Sequence, residues 1–105
     1  MIIILLLALL QEPQYAVIDF GAEWCIPCKQ METHWRDPKI VEAIQSYAEV
    51  YYLDYDRDAE AKEDWKIKAV PTIIVIEKKS DGWHEVRRHV GYMSIEQLAK
   101  FLELL

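Results

Sequence analysis

The sequence predicts an α/β fold, a mixed central β-sheet flanked by helices, and three observations carry that expectation. Short β-forming runs alternate with helix-favouring segments as far as residue 66, in the order strand, helix, strand, helix. A hairpin and one last amphipathic stretch follow, which adds antiparallel pairing to the sheet. The 105 residues, 52% of them hydrophobic, suffice for one core; they exclude a disordered chain and leave no room for two domains.

The first ten residues, Met1 to Leu10, are wholly apolar and offer no polar face to either a helix or a strand. As a helix such a run spans about 15 Å, half a bilayer core. It reads as an N-terminal element packed on the domain, as a secretory signal or anchor remnant, or as a self-association surface. A basic leading region and a small-residue cleavage site are both missing. The expected division is an apolar segment, 1–14, and a folded unit, 15–105.

Tyr15 to Phe20 is the first strand, and Gly21-Ala22-Glu23 is a turn before a helix. Lys29, Gln30, Met31 and Glu32 favour that helix, with Cys28, Met31 and Trp35 along one side. It should stop near Trp35 or Arg36, because Asp37-Pro38 reads as an N-cap followed by proline at the first helical position. The next helix, about 38–47, has Ile40, Val41, Ile44 and Tyr47 on one side. Ala48 to Tyr55 alternates poorly, as a strand buried on both faces would. Asp56 to Lys66 is a charged helix with Ala59, Ala61 and Trp65 as inward candidates. Pro71 opens the strand 72–76, Lys78 to Gly82 is a hairpin turn, and Trp83 to Val90 is an antiparallel partner near an edge. The last helix starts at Ser94, with Gln97 completing a capping box and Leu98, Phe101, Leu102 and Leu105 as its core stripe.

Charge narrows the partners. Twelve Lys+Arg against eighteen Asp+Glu give a net charge of −6, with no basic cluster longer than Arg87-Arg88, so nucleic acid is not an expected partner. His34, His84 and His89 have no spacing of a ligand set, and the acidic segment 54–64 lacks the arrangement of a calcium loop; no metal is expected.

The chemistry concentrates in Trp24-Cys25-Ile26-Pro27-Cys28, which holds the only two cysteines. Thiols at i and i+3 on the first turn of a helix can close into a small disulfide ring, and the helix N-terminus favours the thiolate at the first of them. Buried core cysteines are the plain alternative. Asp19, on an otherwise apolar strand, is costly to bury unless its side chain turns to solvent.

Asp19-Phe20-Gly21-Ala22-Glu23-Trp24-Cys25-Ile26-Pro27-Cys28-Lys29 closely resembles the active-site segment of thioredoxins. Val70-Pro71-Thr72 is similar to the family's cis-proline segment, and Val90-Gly91-Tyr92 to its glycine segment before the last helix. The helix-break-helix pattern from Lys29 to Ile44 further resembles the periplasmic thioredoxin-like domains of transmembrane electron-transfer reductases.

The resemblance implies a thioredoxin fold and a thiol-disulfide oxidoreductase that reduces protein disulfides, with no bound cofactor. Cys25 is then the nucleophile, nearer the surface, and Cys28 the resolving thiol one turn inward. Asp19 is a buried acid near Cys28 with a raised pKa, and Pro71 a cis-proline that faces the cysteines and exposes the Val70 backbone to substrate. Trp24, Ile26, Pro27, Val70, Gly91 and Tyr92 form an apolar docking rim. The lysine that often accompanies the acid is replaced by Tyr52, so a hydroxyl or a water would serve the proton. Ile26-Pro27 offers no histidine to stabilise the thiolate, which favours a reductase over an oxidant.

Expected partners are disulfide-containing proteins and an upstream thiol reductase, with a monomeric chain and membrane association only through residues 1–10. The rival readings are an envelope oxidant or cytochrome-maturation protein, and a non-catalytic binding module. The compartment is the cytoplasm or the periplasmic side of a bacterial envelope.

Overall fold

Tyr15–Gly21 forms β1, in which both side-chain faces are buried because a strand flanked by strands must cover each face with a separate layer. The structure, a computed structural model, describes residues 14–44 and 48–104. The expectations for residues 1–10, Tyr47 and Leu105 lie outside the described residues. After β1 come α1 (Ile26–His34), α2 (Pro38–Ile44), β2 (Ala48–Asp54), α3 (Ala59–Asp64), β3 (Thr72–Lys79), β4 (Gly82–Val90) and α4 (Ile95–Phe101), with a 3₁₀ turn at Leu102–Leu104. The sheet order is β2-β1-β3-β4; β2 runs parallel to β1, and the β1/β3 and β3/β4 pairs are antiparallel, which makes the sheet mixed as expected.

Period-two alternation along β1 and β3 divides the core between the two faces of the sheet. Val17, Ile73 and Val75 pack with Met31 and Trp35 beside α1, Ile40 of α2, and Met93, Leu98 and Leu102 around α4. Ala16, Ile18, Phe20, Ile74 and Ile76 pack on the opposite face with Ile67, against Ala61 and Trp65 of the α3 region. Each of the larger side chains contributes about 1.5–3 kcal/mol by leaving water.

Local signals set the element ends. Asp37 caps α2 by accepting from Lys39 N at 2.9 Å, with Pro38 at the first helical position. Ser94 Oγ accepts from Gln97 N at 3.2 Å while Ser94 N donates to Gln97 Oε1 at 2.9 Å, so the capping box forms. Past α3, Lys66 takes the left-handed conformation at φ 55°, and Ile67 N reaches back to the Lys62 carbonyl at 2.9 Å.

Four expectations need correction. Tyr51 and Tyr52 are exposed, so β2, which among the described residues pairs only with β1, is not buried on both faces. In α2 the inward side holds Ile40, Ala43 and Ile44, while Val41 faces outward. Ala59 is exposed at the start of α3, which leaves Ala61 and Trp65 to face the sheet. The hairpin turn tightens to Ser80-Asp81, because pairing continues to Lys79 and Gly82; Gly82 supplies the φ of 122° that this closure requires. No described helix is long and apolar enough to cross a membrane.

Candidate active site

The cysteines stand where α1 begins. Cys25 is the N-cap, in extended conformation, and its Sγ accepts from Cys28 N at 3.2 Å. Ile26 and Pro27 occupy the first helical positions, where a proline removes an N–H that would have no partner. Cys25 and Cys28 are joined as a disulfide with Cα atoms 5.2 Å apart. Both side chains are 5% exposed, so burial does not separate them, contrary to the expectation that Cys25 lies nearer the surface. Position distinguishes them instead: Cys25 caps the helix, whereas Cys28 lines a cavity behind it.

Ala22 and the two cysteines pack against Tyr55 and Val70. The Val70–Pro71 bond is cis, and Gly91 N donates to the Pro71 carbonyl at 2.8 Å, which brings the loop before β3 beside the loop after β4. The residues of the expected rim differ in exposure. Trp24 is 65% exposed and Ile26 70%, Pro27 and Tyr92 are exposed, and Val70 and Gly91 are half-buried. Two rim aromatics are held in place: Trp24 Nε1 donates to Asp56 Oδ2 at 2.8 Å, and the Tyr92 hydroxyl bonds His34 Nε2 at 3.2 Å.

Behind Cys28 the site is polar. A cavity of about 370 Å³ is lined by Asp19, Gly21, Cys28, Glu32, Tyr52 and Arg57, among others. A Cβ added to Gly21 would stand 3.3 Å from Cys28 Cβ, so glycine keeps this approach open. Asp19 is 4% exposed and does not turn to solvent. Burial pushes its pKa up to about 6; the hydrogen bond from Trp35 Nε1, 2.8 Å from Oδ2, opposes that rise, and the negative charge of Glu32 adds to it. Tyr52 is the register partner of Asp19 on β2, and its ring meets Trp35 edge-on with centroids 6.4 Å apart. Burial, then the charge of Asp19, raises the Tyr52 pKa, so at neutral pH this neighbour is a hydroxyl and not a cation.

Sequence reasoning missed three members of this arrangement: Trp35 as donor to Asp19, Glu32 as its acidic neighbour, and Asp56 as the anchor of Trp24. Glu32 was within reach of a helical-spacing argument, because it stands four residues after Cys28 and hence on the same side of α1. The other two join residues 16 and 32 positions apart, pairings that local pattern does not encode.

Comparison with known proteins agrees with this geometry. The family model for thioredoxin matches residues 7–104. Thioredoxin H2-1 of rice is 39% identical over 77 residues, which cover 71% of this chain and 49% of the relative. A thioredoxin of Chlamydia muridarum is 32% identical over 89 residues, 82% of this chain and 78% of the relative. The chain thus spans about half the length of the rice protein and more of the bacterial one. A thioredoxin from Thermus thermophilus superposes with a TM-score of 0.77 at 23% identity, over 87% of this chain and 72% of that one, a likeness of fold.

Proposed function

The chain belongs to the thioredoxin family, and from that premise we propose that it is a thiol-disulfide oxidoreductase that reduces disulfides in protein partners. The observation that carries the reading is the bonded Cys25–Cys28 pair at the N-terminus of α1, with Cys28 on the wall of a cavity that the buried acid Asp19 also lines.

In the reduced protein, the end of α1 stabilises negative charge at the Cys25 sulfur. That thiolate attacks one sulfur of a substrate disulfide; the substrate S–S bond breaks, and its other sulfur leaves as a thiolate that takes a proton from water. The Cys28 thiol passes its proton to the Asp19 carboxylate across the shared cavity and attacks Cys25 Sγ. The bond from Cys25 to the substrate breaks, the second substrate sulfur leaves as a thiolate that takes a proton from water, the Cys25–Cys28 disulfide closes, and Asp19 returns its proton to water. The substrate gains two electrons and two protons, and the pair loses them.

Trp24, Ile26, Pro27, Val70, Gly91 and Tyr92 receive the substrate, with the backbone beside Pro71 available to an extended segment. The small apolar area suits transient contact. The absence of histidine between the cysteines leaves the thiolate less stabilised, which favours electron donation over oxidation. An upstream thiol reductase then regenerates the dithiol of a monomeric chain, whose working unit is residues 15–105. Both the cytoplasm and the periplasmic side of a bacterial envelope accommodate such a donor, and the equilibrium potential of the couple against glutathione separates a donor from an envelope oxidant.

Reduction of insulin disulfides by the dithiol form is the direct test. Cys25→Ser abolishes turnover, and Cys28→Ser accumulates a mixed disulfide through Cys25. Undiminished turnover by Cys25→Ser would overturn the reading.

A further inference from the structure

Among the described residues one buried side-chain donor reaches an Asp19 oxygen, and it comes from beyond the end of α1. Trp35 is the C-cap residue of that helix, 6% exposed, and its Nε1 lies 2.8 Å from Asp19 Oδ2. The indole is fixed on two further sides, in the core cluster with Met31 and Ile40 and edge-on to Tyr52. We propose that Trp35 is a positioning residue for disulfide exchange: its indole N–H holds the Asp19 carboxylate ionised and oriented toward the cavity it shares with Cys28.

The other charged and titratable groups around Asp19 do not replace that donor. From α1 come Glu32, whose charge opposes ionisation, and Lys29 on the cavity wall. From β2 come Tyr52 and Asp54, and from the following loop Arg57 and Asp58. Arg36 acts on Tyr52, and β3 presents Ile73. Arg57 is engaged by Glu23 at 3.3 Å. A hydrogen bond to the ionised form of a buried acid lowers its pKa, and burial alone would leave Asp19 protonated to higher pH. Trp35 therefore sets the pH at which the acid becomes a proton acceptor for Cys28.

The inference rests on the reading of Asp19 as that acceptor, and the experiment separates the two. The rate of mixed-disulfide resolution is measured against pH in wild type, Asp19→Asn, Trp35→Phe and the double variant. The wild-type profile rises through an inflection near pH 6, which Asp19→Asn removes. Trp35→Phe keeps the aromatic ring and moves the inflection up by about one pH unit, with a rate about fivefold lower at pH 6 and convergence above pH 8. In the Asp19→Asn background Trp35→Phe no longer alters the profile. If Asp19→Asn leaves the inflection in place, the acceptor role itself fails, and the inference with it. If Asp19→Asn removes the inflection and Trp35→Phe does not move it, the positioning role alone is overturned. Wild-type protein supplies a check free of any folding defect: the Trp35 indole proton resonance titrates with the midpoint of the Asp19 carboxyl, and a pH-independent resonance would equally overturn the inference.

Discussion

Asp19 stands on a strand whose neighbouring side chains, Ile18 and Phe20, are apolar and buried, and its own carboxyl is 4% exposed. Its pKa of about 6 lies above the ordinary value of 3.8 because burial disfavours the charge. A neutral carboxyl therefore contributes stability that is fully present below pH 3.8 and is lost as pH rises through about 6. The difference amounts to roughly 3 kcal/mol when fully expressed. Asp19→Asn keeps an acceptor for Trp35 and removes the charge, so it stabilises the fold by roughly 2–3 kcal/mol at pH 7.5 and by almost nothing at pH 3.5. Denaturant unfolding at the two pH values checks this, and an equal effect at both would contradict the stated cause. At this scale the pairing of the cysteines and the burial of Asp19 were legible because their chemistry lies in short motifs. Trp35 was not: its spacing marked a core side chain, and only the rotation of α1 over the sheet decides which atom the indole N–H meets.

Elements were legible wherever a local signal ends them. Asp37-Pro38 starts α2, and Ser94 with Gln97 starts α4, each through hydrogen bonds that sequence spacing alone anticipates. β2 shows the opposite case. Ala48 to Tyr55 has the composition of an interior strand, yet Tyr51 and Tyr52 are exposed. Composition reports what a strand can bury, and only long-range pairing decides whether a neighbour arrives to bury it. Val41 fails for a related reason: an apolar residue on a short helix can lie just outside the arc that meets the sheet. Ser94→Ala removes the acceptor of the capping box and costs about 1 kcal/mol. Denaturant unfolding reads that loss, and the rate of disulfide reduction is expected to stay at the wild-type value.

The whole molecule is organised by a sheet that separates two apolar clusters. One joins Val17, Ile73 and Val75 to the α1, α2 and α4 layer, and the other joins Ile18, Phe20 and Ile74 to the α3 side. The candidate site draws on both. Asp19 and Trp35 belong to the first face, while Val70 and Tyr55, which border the second cluster, also pack against the cysteines. The turn that carries the cysteines thus packs close to residues from both faces of the sheet. Side chains on opposite faces of a sheet that share no partners lose stability independently. Ile40→Val trims the first layer and Ile74→Val the second; both positions are 0% exposed. Each substitution costs about 0.5–1.5 kcal/mol. The double variant loses the sum to within about 0.5 kcal/mol, measured by denaturant unfolding of all four proteins. A coupling energy well above that margin would mean that the sheet transmits repacking from one face to the other, and the two layers would then have to be treated as one support for the cysteines.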